Sequence, residues 1–298
     1  MDKKNWPLIS IVTPSFNSGM YLESTIISIL GQGYPNLEYI IIDGGSTDNS
    51  LEIIKKYQHE LRYWISEPDQ GQYDAINKGM AMTEGEILFW LNADDMLLPR
   101  SLFVIAEIFK EYPEVEWISS LKPAFWDANG SIYNVVSIPG YSRQAFLDGL
   151  FLPETRKRGY FMQQESTFWR ATLWKKIGGK IPDFDMAGDF ALWGAFYKYA
   201  ELYGLEYPLG GFRKVKGQRS ENGISYCKEA EQVLKDLRKH FNWRINLIRN
   251  LLYLKPIQVF KTFKSIVSVI GYQGKKIQNK QINKIDAGWK IVEYKFIP

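Results

Sequence analysis

Residues 37–50, LEYIIIDGGSTDNS, begin as an apolar, β-branched run and end in a loop of Gly, Ser and Asp. A run of this kind reads as a strand buried on both faces, with its carboxyl end delivering Asp43 into a turn. Directly after it, SLEIIKKYQ (50–58) places apolar residues at helical spacing. Upstream, LISIVTPSFN (8–17) is a second buried strand entering a Pro/Ser/Asn turn, and Tyr21–Leu30 reads as a helix with Glu23 near its start. Strand, helix, strand, helix predicts an α/β fold built on a doubly wound, mostly parallel sheet.

Downstream the pattern continues. RYWIS (62–66) is a shorter strand, EPDQGQYDA (67–75) a turn-rich loop, and AINKGMAM (75–82) a helix. EILFWLNADD (86–95) is a further central strand with polar residues crowded at its end. Three strands thus end in carboxylates. Open α/β sheets bind ligands at the carboxyl edges of their strands, so Asp43, Asp69 and Asp94–Asp95 are expected to converge on one crevice. A helix follows at Ser101–Tyr112, then short strand-like pieces over 114–160. FMQQESTFWRATLWKKIGG (161–179) reads as a strand or turn entering a helix, and AGDFALWGAFYKYAELYG (187–204) as a helix with Asp189 in its first turn. From Gly223 the chain reads as helical and increasingly basic, and no internal repeat is found.

Composition narrows the classes. With 298 residues, 45% apolar and 23% charged, the chain supports one large α/β domain with an appendage. A single cysteine, Cys227, excludes an internal disulfide and a thiolate zinc site and fits a reducing compartment. The first residues, MDKKNWPLISIV, contain no signal-like apolar stretch, and no run reaches the roughly 18 apolar residues of a spanning helix, so a cytoplasmic location is expected. Residues 233–298 hold 14 Lys/Arg against 3 Asp/Glu, net +11, while the remainder holds 23 against 30, net −7. An acidic body with a basic tail points to peripheral contact with an anionic membrane face. Packing against the body or against a second subunit is the competing account of the tail. No nucleic-acid module accompanies the basic residues, so no nucleic-acid partner is expected.

Two loops carry chemistry. In DGGSTDNS, Asp43 is placed to accept a base N–H and Gly44–Gly45 to let a nucleoside approach; alternatively Ser46, Thr47 and Asp48 cap the next helix. The loop is neither a Walker loop nor GxGxxG, which argues against a P-loop NTPase or a dehydrogenase. In NADD, hard carboxylate oxygens suit Mn²⁺ or Mg²⁺ held against a diphosphate. Asp95 is assigned direct metal contact, and Asp94 the ribose, a water-mediated contact or a second metal contact; a helix cap or solvated loop is the plainer alternative.

TPSFN, IIDGGSTDNS, EPDQGQYDAINKG, GEILFWLNADD, QQESTFWR and AGDFALW, in this order, resemble the motifs of the family 2 inverting glycosyltransferases of GT-A fold, over roughly residues 7–223. The resemblance implies that Thr13, Pro14, Ser15 and Asn17 lie beside the nucleoside, that Asp43 reads the base with Gly45 and Ser46 in its loop, and that Asp69, Gly71, Asp74, Asn77 and Lys78 border the donor. It also implies that Asp94–Asp95 is the DXD-type metal motif, with Asn92 standing where many relatives have Asp. Residues 1–228 would then be the transferase domain, its nucleotide-sugar half about 1–100 and its acceptor half about 101–228, with 229–298 a helical basic tail.

An inverting transfer needs a base to take the acceptor's hydroxyl proton. Asp189 matches the family's carboxylate and is assigned that role, against the plainer reading of a first-turn carboxylate favoured by the helix dipole. Glu165 is the competing base, or with Gln163 and Gln164 orients acceptor or sugar. Arg213, Lys214, Lys216 and Arg219 form a cationic loop that would close over the diphosphate, or a solvated loop. Trp169, Trp174 and Trp193 are read as core rather than sugar-stacking. The expected partners are a nucleotide-sugar donor, UDP-sugar favoured, and a glycan or lipid-linked acceptor in cell-surface polysaccharide synthesis. A silent nucleotide-sugar-binding scaffold and a sugar nucleotidyltransferase are the alternatives; Asp43, Asp95 and Asp189 together weigh against the first, and TPSFNSG lacks the basic residue the second needs.

Overall fold

The computed structural model describes residues 6–152, 160–240, 271–280 and 288–297. In chain order the elements are β1 (Ile9–Ser15), α1 (Leu22–Leu30), β2 (Leu37–Asp43), α2 (Ser50–Tyr57), β3 (Tyr63–Ser66), α3 (Gln72–Met80), β4 (Ile87–Trp90), β5 (Met96–Leu97) and α4 (Ser101–Glu111). Then come β6 (Trp117–Ser120), β7 (Ala124–Trp126), β8 (Ile132–Val135), α5 (Arg143–Leu147), β9 (Thr167–Arg170), α6 (Ala171–Lys176), α7 (Gly188–Phe196), β10 (Tyr203–Leu205), β11 (Gly210–Arg213) and α8 (Gly223–His240). The last two strands are β12 (Tyr272–Asn279) and β13 (Trp289–Phe296).

The large sheet runs β13-β12-β10-β6-β9-β4-β1-β2-β3. β9 lies antiparallel to β4 and β6, and β13 antiparallel to β12; the other pairings are parallel. The α/β, mostly parallel architecture is therefore as expected. Both faces are apolar, which is why the first strands read as continuous hydrophobic runs. Ile9, Ile11, Ile41 and Phe89 pack against α1 and α4 on one face, while Val12, Ile42, Leu88 and Trp90 pack against α3 and α7 on the other. Trp169, Trp174 and Trp193 belong to this second layer and are buried. A smaller sheet, β5-β11-β7-β8, stands beside the carboxyl edge of the large one through β5, which follows the NADD turn.

The expected helical tail holds for α8 and fails beyond it. Residues 272–279 and 289–296 are strands, and β12 adds to β10 in parallel, extending the sheet to nine strands. In WKIVEYKF, Trp289 joins the core layer of one sheet face and Phe296 that of the other, while Lys290, Glu293 and Lys295 lie between them, a pattern that suits an edge strand. The boundary expected at 228/229 also falls inside α8. Ala230, Val233, Leu234 and Leu237 form one buried stripe at i, i+3, i+4 and i+7 that joins the core of the α7 face. Residues 241–270 of the basic tail, read above as facing a membrane surface, lie outside the described residues. Among the described residues no helix is long and apolar enough to cross a membrane.

Candidate active site

A cavity of about 890 Å³ opens at the carboxyl edge of the first strands, a size typical of small-molecule sites. Of the residues expected at a site, Pro14, Ser15, Asn17, Asp69, Gly71, Asn92 and Asp94 line one side, and Gln164, Glu165, Asp189 and Arg219 the other. Thr13, Asp43, Gly45, Ser46, Asp74, Asn77, Lys78 and Asp95 are not on its wall.

The first side is made of loops sewn together by side chains. Asn17, held at φ 46°, donates its N–H to Ser46 Oγ at 2.8 Å and accepts the Thr47 N–H on Oδ1 at 2.8 Å. Behind them the buried Asp43 carboxylate accepts the N–H groups of Gly45 and Ser46 and the hydroxyls of Ser46 and Ser66, at 2.6–3.2 Å. Oδ2 takes three of these bonds and Oδ1 one, and the carboxylate lies behind the cavity wall. Asp43, Gly45 and Ser46 thus shape this side of the cavity from behind. At the next helix the N-cap position, Asn49, makes no side-chain cap bond; Asp48 just before it accepts the Ser50 N–H at 2.9 Å. Thr13 is turned inward to Tyr39 Oη. Asp69 accepts the Gly71 N–H at 2.8 Å and packs so closely on the neighbouring loop that a Cβ at Gly44 would lie 2.6 Å from its Oδ2.

Three residues expected beside the donor are structural instead. Asp74 and Lys78 form an i,i+4 ion pair at 3.2 Å on the outside of α3. Asn77 accepts the Ile181 N–H at 2.8 Å and so fastens α3 to the segment leading into α7.

The acidic pair divides in the opposite sense to the one expected. Asp95 is fully buried, accepting the Arg213 N–H on Oδ1 at 2.8 Å and the Asn92 amide on Oδ2 at 3.1 Å. It lies against Glu165, and burial pushes both carboxyls up, Asp95 well above the carboxylate range. Two desolvated acids in contact do not both ionise, so Asp95 and Glu165 share a proton that belongs to the pair. Asp94 is the half-buried carboxylate on the cavity wall. Of the two adjacent aspartates, Asp94 is the carboxylate that faces the cavity. Among the described residues no three His, Cys, Asp or Glu gather as a metal cluster. The donor set still fits Mg²⁺ or Mn²⁺, because such ions are held by one or two carboxylates with substrate phosphates and water supplying the rest. Asp94 would be that carboxylate, with Asn92 next to it.

Asp189 sits in the first turn of α7, where Oδ1 accepts the Phe190 N–H at 2.7 Å and the Tyr226 hydroxyl at 3.1 Å. Burial raises its pKa to about 6, against the lowering effect of those two bonds. Tyr73 holds the same turn by donating to Met186 O and accepting the Asp189 N–H, at 3.0 and 3.3 Å. The two N–H groups before the turn, on Met186 and Ala187, are both satisfied by Glu229 of α8 at 2.8 Å. Gly188 makes room for Tyr73: a Cβ there would lie 2.7 Å from that ring.

The loop after β11 closes the top. Gln218 donates its amide to Asp94 Oδ2 at 2.9 Å and to Arg213 O at 2.6 Å. Arg219 lies over the Tyr73 ring at 5.7 Å and donates to Gln72 Oε1 at 3.3 Å, and Lys216 reaches the same wall. Arg213 is no part of the cationic rim. It is 2% exposed, and its guanidinium donates to Asp94 O, Ala128 O and Ser24 Oγ, which pins the NADD turn to the small sheet and to α1. Gln164 donates to Trp90 O at 2.5 Å on the cavity floor.

Tyr73, Tyr226, Glu229, Phe212 and Gln218 escaped the sequence reading. Tyr73 lies inside a motif that was read for its charges; the others belong to β11, α8 or the loop between them, where no motif marks them.

The model of glycosyl transferase family 2 matches residues 10–165. TuaG of Bacillus subtilis, a glycosyltransferase named for teichuronic acid biosynthesis, is 36% identical over 257 residues, covering 80% of this chain and 92% of that protein. An uncharacterized glycosyltransferase of Mycobacterium tuberculosis is 30% identical over 184 residues, covering 61% of this chain and 66% of its own length. The chain thus matches less than two thirds of that relative. TarS of S. aureus, solved in complex with UDP-GlcNAc, superposes with a TM-score of 0.60 at 16% identity over 88% of this chain and 76% of that one, the likeness of a shared GT-A fold. With a family model covering more than half of its residues, the chain belongs to glycosyl transferase family 2.

Proposed function

We propose that the protein is an inverting glycosyltransferase that moves a sugar from a nucleotide-diphosphate donor to a glycan hydroxyl, free or lipid-linked, in cell-surface polysaccharide synthesis. The observation that carries it is the pairing, across one cavity, of a wall carboxylate at Asp94 with a desolvated carboxylate at Asp189 whose pKa lies near 6. At neutral pH Asp189 is ionised yet more basic than an ordinary carboxylate, as a general base should be. It takes the acceptor's proton as the hydroxyl oxygen attacks the anomeric carbon. Tyr226 and the Phe190 N–H hold its Oδ1 in place. Asp94 would hold Mn²⁺ or Mg²⁺, which when bound offsets the charge growing on the leaving diphosphate. Lys216 and Arg219 add positive charge from the loop. Glu165 is the weaker base candidate because its carboxyl is engaged with Asp95.

UDP-sugars are the donors to try first, since TarS, of the same fold, is solved with UDP-GlcNAc. The similarity to TuaG supports a surface-polysaccharide setting. Thermal stabilisation by a panel of nucleotide sugars, with and without Mn²⁺, tests the reading: a donor selective for the folded state raises the melting temperature. If no nucleotide diphosphate stabilises the protein, and none is released from any donor, the proposal fails.

A further inference from the structure

We propose that the outer face of the small sheet is a glycan subsite that holds the acceptor sugars next to the one that reacts; this rests on the transferase reading above. Four aromatic rings define it. Phe212 of β11 lines the cavity and pairs in register with Phe125 of β7, their centroids 6.4 Å apart. Phe125 in turn contacts Tyr133 of β8 at 6.2 Å and Phe161 at 5.6 Å. The row follows from strand alternation. Ala124 and Trp126 flank Phe125, Gly211 and Arg213 flank Phe212, and all four flanking residues are buried, so the two phenylalanines take the opposite, outward face.

A solvated sheet face is ordinarily polar. This one is an aromatic row that starts at the cavity and ends on an edge strand at Tyr133, which sits at the irregularity between the Phe125–Asn134 and Trp126–Ile132 pairs and is 53% exposed. Continuity with the cavity names the occupant. A molecule whose hydroxyl reacts beside Asp189 has to leave the cavity somewhere, and the row provides a path. Two strand spacings of roughly 4.8 Å carry it about 10 Å outward, room for about two sugar rings. Sugar rings need one aromatic face beneath them and a hydrogen-bonding group at the side, and the Asn134 amide stands opposite Phe125 in register. An acyl chain would need an enclosing groove, which an open row does not give.

The test is titration of the full chain, saturated with UDP and Mn²⁺, with chito- and cello-oligosaccharides of one to six units, followed by calorimetry and saturation-transfer NMR. Affinity should rise at least tenfold from one unit to three and then level off, with saturation transferred from Tyr133 to the outer rings. Phe125→Ala and Tyr133→Ser should each remove most of that gain while leaving UDP affinity at the wild-type value. Should Phe125→Ala fold poorly, the exposed Tyr133→Ser carries the comparison alone. The proposal is overturned if wild type binds none of these oligosaccharides, if the length gain survives in Tyr133→Ser, or if Tyr133 is instead needed for sedimentation with phosphatidylglycerol vesicles. UDP bound normally alongside any of those results leaves the donor reading standing; loss of UDP binding by wild type removes both.

Discussion

The two sides of the cavity are built from different materials. On the side of residues 14–94, short loops leave parallel strands and tie their carboxylates to backbone N–H groups, as Asp43 does with Gly45 and Ser46 and Asp69 with Gly71. On the side of residues 164–226, Asp189 is buried between Tyr73 of α3 and Tyr226 of α8 and Glu165 is buried against Asp95, so that the two carboxyls are pushed up to about 6 and 7. The first construction suits holding a charged, phosphate-bearing ligand rigidly; the second suits moving a proton. Asp94 and Asp95 show the contrast between adjacent residues, one on the wall and one buried against Glu165.

The largest expected effect breaks the proton-moving side alone. Asp189→Asn keeps the shape and removes the base, so turnover should fall by ~10²–10⁴-fold, while UDP binding with Mn²⁺ stays at the wild-type value. Stability should move the other way. The folded pKa lies above the ordinary carboxylate value, so burial penalises the ionised form, and stability is lost as pH rises through about 6. The neutral amide escapes that penalty, and its melting temperature at pH 8 should equal or exceed wild type. Glu165→Gln losing as much turnover with UDP binding intact would move the base to Glu165.

Next in size is the separation of Asp94 from Asp95. Asp95→Ala strands the Arg213 N–H and the Asn92 amide, at roughly 1–3 kcal/mol for each unpaired group, so its melting temperature should drop by several degrees. Asp94→Ala should leave the melting temperature nearly unchanged and weaken Mn²⁺-supported UDP binding by about tenfold or more, the worth of a contact to a charged group. A calorimetric titration of both variants decides between wall and pedestal, and the reverse pattern would restore Asp95 as the metal contact.

How much of this was legible follows from the same division. Buried parallel strands are continuous apolar runs, so 8–17, 37–43 and 86–91 declared themselves, and the rule that ligands gather at strand ends brought Asp69 and Asp94 to one edge. β12 and β13 did not declare themselves, because lysines interleaved along both strands read as a basic tail. The order within Asp94–Asp95 was also beyond reach. It is set by the Arg213 N–H, 118 residues away, which captures Asp95. Likewise Tyr226 and Glu229 act on Asp189 only because a stripe of α8 packs in the core next to α7, and no local pattern announces that encounter.

A smaller effect probes the room at Gly188. Replacing glycine by alanine in a helix ordinarily gains up to about 1 kcal/mol. Here the new methyl would meet the Tyr73 ring at 2.7 Å, and overpacking costs roughly 1–3 kcal/mol. Gly188→Ala should therefore lower the melting temperature, and turnover should fall with it as Tyr73 is displaced from the Asp189 turn. A rise in melting temperature would mean that Tyr73 moves aside freely and does not hold the turn.

The smallest effect is the most specific to the assignment of the base. Turnover at saturating substrates should climb as pH rises through about 6, because Asp189 accepts a proton only when ionised. The Tyr226 hydroxyl donates to Asp189 Oδ1 and so favours the ionised form. Tyr226→Phe removes that bond while keeping the ring, so the acid limb should move to higher pH, by about one unit or less, with the plateau rate little altered above it. If Glu165 were the base, the limb would lie nearer 7 and would feel Tyr226 only indirectly, through the charge on Asp189, because burial, its own backbone N–H and Asp95 come first among the causes that shift it. An unmoved limb in Tyr226→Phe, with wild-type folding, would therefore detach α8 from the chemistry and reduce it to support for α7.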